Sequence, residues 1–194
     1  MQRYEIKFDI TEENINKIIK DMNLTKIYPN RIVNSTYFDT NNFKFFSLSE
    51  EGVTPRIKVR TRCYNDKNLM NLEIKKTNNY HREKIIIKNF NFSFINFYKH
   101  LKKNGISETL SKKLVIRYKR EYYKHYNVGR VTIDTDIQFS FPRNEDNTLV
   151  RVDKKVMEIK IQKDYLDKSE IEKIVQLREC RFSKYCLGIN KLYR

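Results

Sequence analysis

Charged and apolar residues alternate strictly in the stretch PRIKVRTRCY, which runs from Pro55 to Tyr64. Every second position holds a cation, and the positions between them hold mostly apolar residues. The cations are Arg56, Lys58, Arg60 and Arg62. Because successive side chains of a strand point to opposite faces, a strand here carries all four cations on one face. Such a face is either solvated or binds a polyanion that offsets the repulsion between its charges.

Similar alternation elsewhere in the chain predicts further strands with one charged and one apolar face. The predicted strands cover residues 3–8, 32–39, 55–64, 69–77, 81–88, 113–124, 130–137, 150–153 and 156–162. Apolar residues at helical spacing predict helices from a Thr11 cap to about Asn23, and over 92–103, 168–177 and 181–193, with a turn or short helix at 41–48. In the second of these helices Phe94, Phe97 and Tyr98 form an aromatic stripe, which we expect to pack in the core, and Gly105 closes the helix.

Two architectures satisfy this pattern. One is an open sheet with helices on its apolar face and its charges in water. The other is a closed barrel with the charges inside and the apolar residues outside, under the helices. A lumen full of cations is costly when empty and becomes stable when a polyanion and a metal ion fill it. Composition alone does not distinguish the two.

The overall charge favours an anionic partner. The chain has 194 residues, enough for one domain with a sizeable core, and a net charge of +16 with a pI of about 9.7. A strongly basic protein of this kind binds nucleic acid, a membrane surface or free phosphates. With only 4 glycines and 3 prolines there is no glycine-rich phosphate loop, so phosphates have to be bound by side chains.

The cysteine pattern and hydropathy favour a cytoplasmic protein. Cys63, Cys180 and Cys186 form no paired framework, which predicts reduced thiols, and neither they nor the scattered histidines have the spacing of a zinc site. No apolar stretch approaches the ~20 residues of a membrane span. The opening MQRYEIKF is typical of a strand and not of a leader peptide.

Seven short motifs carry a resemblance to a known family. In order they are RYEIKF, VRTRCY, NLEIKK, YKREYY, RVTID, VMEIK and RFSKY, and they extend from Arg3 to Tyr185. Together they resemble the VTC-type polyphosphate polymerase domain, a branch of the CYTH-like triphosphate tunnel metalloenzymes. The resemblance implies a single domain over residues 1–194. Its implied fold is α+β, a closed antiparallel eight-stranded barrel with a charged lumen and helices on the outside.

The implied activity is a metal-dependent transfer of the γ-phosphate of ATP to a growing polyphosphate chain. The implied cofactor is Mn²⁺ or Mg²⁺, and the implied partners are ATP and inorganic polyphosphate, with neither nucleic acid nor a membrane span. The implied phosphate-binding residues are Lys7, Arg60, Arg62, Lys75, Arg120, Arg130, Ser183 and Lys184, joined by Arg82 or Lys84, between which the resemblance does not choose. The implied metal ligand is Glu158. Glu5 and Glu73 lie beside these residues, where they either hold Lys and Arg side chains in place or reach the metal ion through water. Of all these residues, those expected to be catalytic are Arg60, Arg62, Glu158 and Lys184.

Two alternative functions remain at this point. A hydrolase of tripolyphosphate or nucleoside triphosphates uses the same fold, but the usual opening of the superfamily, Glu-x-Glu-x-Lys, is Arg3-x-Glu5-x-Lys7 here, which favours the polymerase branch. The other is a non-catalytic binder of nucleic acid or another polyanion, for which Tyr64, Tyr118 and Tyr122 beside cations are suitable base-stacking residues. The carboxylates among the cations argue against nucleic acid.

Overall fold

The computed structural model describes residues 3–79, 81–142, 149–162 and 168–194. The strands in these ranges are β1 (Arg3–Ile10), β2 (Thr25–Asp39), β3 (Arg56–Tyr64), β4 (Asp66–Thr77), β5 (Arg82–Ile87), β6 (Ser111–His125), β7 (Gly129–Ser140), β8 (Leu149–Val152) and β9 (Lys155–Gln162). The helices are α1 (Glu12–Asp21), α2 (Lys44–Glu51), α3 (Phe94–Lys103), α4 (Lys168–Val175) and α5 (Lys184–Tyr193). None of the described helices is long and apolar enough to cross a membrane.

The predicted start of α1 and the predicted end of α3 are confirmed, whereas α1 ends at Asp21 and not at about Asn23, and α3 begins at Phe94 and not at residue 92. Thr11 is the N-cap of α1 in an extended conformation, and acidic residues in the first turn with Lys20 in the last complement the helix dipole. Ser93 begins α3, where its hydroxyl accepts a hydrogen bond from the Asn96 amide at 3.1 Å. Gly105 follows the end of α3 with a φ of +65°, the left-handed conformation that glycine adopts without strain.

The strands hydrogen-bond in the order β1-β9-β7-β6-β2-β3-β4-β5, with β8 paired to β7. The ladders with a described register are antiparallel, and among the described residues none joins β1 to β5. The α+β class is confirmed, but the prediction of a closed eight-stranded barrel is wrong: over the ranges that the structure describes, the sheet is open and has nine strands. Side chains alternate with a period of two in open and in closed sheets alike. Closure depends on the tilt and stagger of the strands, and the alternation of residue types carries no information on either.

Internal contacts divide the chain into two compact units, each built from three stretches. The first unit comprises Met1–Ile32, Arg117–Gln138 and Arg151–Ser183, and the second comprises Val33–Ile116, Phe139–Val150 and Lys184–Arg194. The single domain over residues 1–194 stays a prediction.

In the first unit, helices α1 and α4 pack against the apolar face of β1, β7 and β9. The buried contacts come from Ile18 and Met22 of α1, Ile171 and Val175 of α4, Ile6 and Phe8 of β1, Val131 and Ile133 of β7, and Met157 and Ile159 of β9. Alternate residues of these three strands therefore form a core. The residues between them, which include Glu5, Arg130 and Glu158, lie on the opposite, charged face.

In the second unit, α2 and α3 pack against the apolar face of β3, β4 and β5. Val59, Leu72 and Ile74 are fully buried there, against Phe97 and Leu101 of α3. The apolar row of PRIKVRTRCY thus belongs to the core, as its alternation predicts. The aromatic stripe of α3 is only partly in that core. Phe97 is buried and Tyr98 is half-buried. Phe94, at the start of the helix, is 65% exposed, so the prediction is wrong for Phe94.

Candidate functional site

The buried carboxylate of Glu73 is the centre of the charged face in the second unit. Strand register places Arg60 opposite Glu73 on one side and opposite Tyr37 on the other. Arg60 donates from Nε at 2.7 Å and from Nη2 at 2.5 Å to Oε2 of Glu73, and from Nη1 at 2.6 Å to the Tyr37 hydroxyl. Partners on two sides therefore fix the plane of the Arg60 guanidinium.

Two further cations contact the same carboxylate. Lys84 donates from Nζ to Oε1 of Glu73 at 3.0 Å, and Nη1 of Arg62 lies 3.8 Å from Oε2. Arg62 and Glu73 are only 6% and 4% exposed, and Nε of Arg62 also donates to the Ser35 hydroxyl at 3.0 Å. One carboxylate thus contacts three cations.

The pKa of Glu73 reflects this imbalance. Burial alone raises the pKa, but Arg60, Arg62 and Lys84 outweigh burial and hold the pKa of Glu73 well below its usual range. Burial also lowers the pKa of Lys84, and this outweighs the attraction of Glu73. Glu73 is therefore ionised at neutral pH, and an added anion stabilises the surrounding cations.

A row of three lysines crosses this face and ends at Lys84, which also belongs to the Glu73 cluster. Lys58 on β3 lies opposite Lys75 on β4, and Lys75 lies opposite Lys84 on β5. Like charges directly opposite each other on neighbouring strands repel. Arg82 shares the face of Lys84 at the start of β5, and both side chains are exposed, but it is the Lys84 ammonium that contacts Glu73.

The structure adds Tyr37, which is not among the predicted site residues. Its ring stacks on Tyr185 with centroids 4.8 Å apart, and Nζ of Lys58 lies 6.0 Å from the centroid of Tyr185. Burial raises the pKa of Tyr37, but Arg60, Arg62 and Lys58 together lower it to about 8. The Tyr37 hydroxyl accepts from Arg60, which leaves its own proton available for an anion.

Asp39 anchors the beginning of α5 to this face. Its carboxylate is fully buried and accepts hydrogen bonds from the amides of Phe45 at 2.9 Å and Phe46 at 2.8 Å and from the Tyr185 hydroxyl. Burial, and then the charge of Asp39, raises the pKa of Tyr185. Tyr185 follows Lys184, so the anchor fixes the backbone next to this predicted phosphate-binding residue.

The first unit contains a second buried ion pair. Arg120 donates from Nε to Oδ1 of Asp134 at 2.5 Å and from Nη2 to Oδ2 at 2.6 Å. Burial lowers the pKa of Arg120, but Asp134 outweighs burial and raises it well above its usual value. The guanidinium therefore keeps its charge, in a bidentate geometry that fixes its orientation.

Glu5 and Glu158 share one ammonium on the charged face of the first unit. Nζ of Lys160 lies 2.9 Å from Oε1 of Glu5 and 3.2 Å from Oε1 of Glu158. Arg130, opposite Lys160 on β7, is exposed. Lys7 lies opposite Glu158, but its ammonium donates to the backbone carbonyl of Phe182 at 2.7 Å.

The segment that leads to α5 runs along β1. Phe8 forms an isolated antiparallel bridge with Glu179, and the Cys180 amide donates to the Lys7 carbonyl at 2.8 Å. Together with the Lys7–Phe182 contact, these bonds hold the chain just before the half-buried Ser183. Lys7 thus orders this segment.

Comparison with protein families shows that residues 2–193 match the VTC domain. The chain belongs to the VTC domain family. The resemblance found in the seven sequence motifs is thereby confirmed. The comparison with curated proteins gave no match.

Solved structures share the fold of this VTC domain at low sequence identity. A protein from Pyrococcus horikoshii has a TM-score of 0.59 and 16% identity, covering 98% of this chain and 99% of that one. A putative adenylate cyclase from Bacillus halodurans has a TM-score of 0.60 and 13% identity, with both chains covered in full. A putative adenylyl cyclase from Hippeastrum, described as having a dominant triphosphatase activity, has a TM-score of 0.59 and 12% identity over 98% and 96% of the two chains.

The carboxylates of the VTC domain differ in their suitability for a metal ion. No group of three or more His, Cys, Asp or Glu side chains that could hold a metal occurs in the described part of the chain. Glu5 and Glu158 already hold one cation between them, and a magnesium-type ion needs only one or two carboxylates besides phosphate and water. Their donor set therefore fits a divalent ion. Glu73 does not fit a divalent ion, because the three cations that surround it repel a further positive charge.

Sequence reasoning missed Tyr37 and the bridging position of Lys160 because both depend on strand register. Tyr37 looks like one more apolar residue of IVNSTYFD until the β2–β3 ladder places it opposite Arg60. Lys160 shares a face with Glu158 by alternation, but its contact with Glu5 requires the β1–β9 pairing. A signal was present for Lys160 in the Glu-x-Lys spacing of VMEIK.

Proposed function

We propose that this VTC domain is a polyphosphate polymerase that transfers the γ-phosphate of ATP to an inorganic polyphosphate chain, with Mn²⁺ or Mg²⁺ as cofactor. The observation that carries the proposal is the cation cluster of the second unit: Arg60, Arg62 and Lys84 around one buried carboxylate. Membership of the VTC domain family supports it.

The cluster is suited to phosphate because its arginines are already oriented. Phosphoryl transfer requires mainly positioning and stabilisation of charge on phosphoryl oxygens. Glu73 and Tyr37 hold Arg60 in place, and Ser35 holds Arg62. Each charge-assisted hydrogen bond to such a cation contributes about 1.5–3 kcal/mol. Several converging bonds therefore give strong binding of a triphosphate without any glycine-rich loop.

The residues that would hold the metal ion are Glu5 and Glu158, on the evidence of their shared cation. A bound divalent ion would neutralise part of the negative charge on the phosphate oxygens. Arg120, which Asp134 keeps charged and oriented, is proposed as a further phosphate contact, and so are Arg130, Ser183 and Lys184.

The ionic state of the carboxylates favours transfer over hydrolysis. An acceptor phosphate is already ionised near neutral pH and needs no general base, whereas an attacking water usually does. Glu73, Asp134, Glu5 and Glu158 each contact a cation. Glu73, whose pKa the three surrounding cations hold well below its usual range, is therefore a weak base. The hydrolase remains the second candidate because of the activity described for the Hippeastrum protein.

A direct test is to incubate the purified protein with ATP and Mn²⁺ and to separate the products on a gel that stains polyphosphate. We expect polyphosphate to accumulate as ADP is released, and a short polyphosphate primer to shorten any lag. Removal of the metal with a chelator should stop the reaction. ADP release without any polyphosphate would contradict the proposal and favour the hydrolase, and no ADP release at all would favour a non-catalytic binder.

A further inference from the structure

Lys160 occupies the space between the two carboxylates that are best suited to a metal ion. Its ammonium is 2.9 Å from Glu5 and 3.2 Å from Glu158. The β1–β9 ladder places Glu5 directly opposite Lys160, and Glu158 precedes Lys160 by two positions on the same face of β9. Backbone pairing thus fixes all three side chains on one small patch of the first unit.

The backbone under Lys160 is held tightly. At Gly129, the first residue of β7, an added Cβ would lie only 2.9 Å from the Lys160 carbonyl oxygen, so β7 approaches β9 as closely as a glycine allows. The Lys160 side chain, by contrast, is 25% exposed. Its stem therefore starts from a fixed point, while the side chain itself is partly exposed to solvent.

The same oxygens cannot serve the ammonium and a divalent ion equally. A hard divalent cation binds carboxylate oxygens directly, and an ammonium held a few ångströms away repels it. Metal binding therefore requires Lys160 to leave Glu5 and Glu158. Once displaced, its ammonium needs another anionic acceptor, and phosphate oxygens provide one.

We propose that Lys160 is an internal counter-ion that competes with the divalent metal for Glu5 and Glu158, and that it transfers to phosphate oxygens when the metal binds together with a triphosphate. This inference rests on the proposed function. Its consequence is that metal alone binds weakly and that metal and triphosphate strengthen each other's binding by the same factor. Lys160 is thus a positioning residue that makes metal loading depend on substrate.

The test is a titration of Mn²⁺ without nucleotide, with free Mn²⁺ read by electron paramagnetic resonance. Removing one positive charge about 4 Å from the ion should strengthen Mn²⁺ binding by about fivefold or more in Lys160→Met. Lys160→Arg, which keeps the charge, should bind like the wild type. Lys154→Met is the matched control, because the Lys154 ammonium contacts Asp9 and not the carboxylate pair. It should change Mn²⁺ affinity by less than about twofold.

A second titration in the presence of tripolyphosphate measures the coupling. We expect tripolyphosphate to strengthen Mn²⁺ binding more in the wild type than in Lys160→Met. Mn²⁺ binding in a folded Lys160→Met that is no tighter than in the wild type overturns the inference, as does an unchanged coupling. If Lys160→Met does not fold, Lys160→Gln replaces it. A wild-type protein that makes no polyphosphate defeats the proposed function alone, whereas these binding results decide the role of Lys160.

Discussion

Replacement of Glu73 by glutamine tests the cation cluster in the absence of any ligand. The substitution keeps the size of the side chain and removes a carboxylate that contacts Arg60, Arg62 and Lys84. Because Glu73 and Arg62 are almost fully buried, water does not replace the lost charge. We expect a marked loss of stability.

The magnitude follows from the geometry. Breaking a buried ion pair by removing one partner costs about 3–5 kcal/mol. Lys84 is 43% exposed and Arg60 21%, so solvent screens part of this loss, and the lower end, about 3 kcal/mol, applies. For a chain of this size, 1 kcal/mol shifts the melting temperature by about 2–4 °C. Glu73→Gln should therefore melt about 6–12 °C below the wild type.

The pH dependence has a defined sign. The pKa of Glu73 is lower in the folded than in the unfolded chain, so its contribution to stability is complete above the unfolded pKa of about 4.3. That contribution is lost as the pH falls through the folded pKa. The difference in melting temperature between Glu73→Gln and the wild type should accordingly be constant at neutral pH and shrink in acid.

Thermal melts with and without tripolyphosphate complete the assay. If the cluster binds phosphate, the polyanion replaces the missing charge, and tripolyphosphate should raise the melting temperature of Glu73→Gln more than that of the wild type. Glu83→Gln is the control, since Glu83 is 60% exposed and its contact with Lys76 is 3.9 Å long. A Glu73→Gln protein that melts like Glu83→Gln, or that tripolyphosphate does not stabilise, would refute the reasoning.

Two further substitutions examine the same face. Arg62→Ala should weaken tripolyphosphate binding by about tenfold or more, from the loss of at least one charge-assisted hydrogen bond, whereas Arg117→Ala at an exposed position of β6 should not. Equal affinities in calorimetry would show that Arg62 is structural. For Tyr37, whose pKa is about 8, formation of the phenolate beside Arg60 should reduce tripolyphosphate affinity between pH 7 and pH 9. Tyr37→Phe should not show this loss of affinity between pH 7 and pH 9. If the wild type and Tyr37→Phe have the same pH profile, the Tyr37 phenolate does not affect binding.

The alternation of PRIKVRTRCY was sufficient to predict which residues of β3 lie in the core and which lie on the charged face. Val59 is fully buried, and Arg60 lies among polar partners, as the period of two requires. Alternation carries no information on closure, and for that reason the barrel prediction failed. It also failed to show the full length of β2, which begins at Thr25 and not at Ile32, because Pro29 interrupts the pattern.

The candidate site was predictable as a set of residue types but not as a set of contacts. The family resemblance pointed to Arg60, Arg62 and Glu73, and to either Arg82 or Lys84, before any pairing was known. Their convergence depends on the registers of β3–β4 and β4–β5, which arise from packing over the whole sheet. Tyr37 was not predicted for the same reason, because its position opposite Arg60 depends on the β2–β3 register.

The ratio of free phosphate to ADP released from ATP tests the central claim most directly. A polymerase incorporates each transferred phosphate into a chain, so free phosphate should remain a small fraction of ADP, and smaller still as primer concentration rises. Arg56→Ala and Lys58→Ala, at the start of the cation row of β3, should shorten the product more than they slow ADP release. Free phosphate equal to ADP at every primer concentration would contradict the claim and establish a hydrolase.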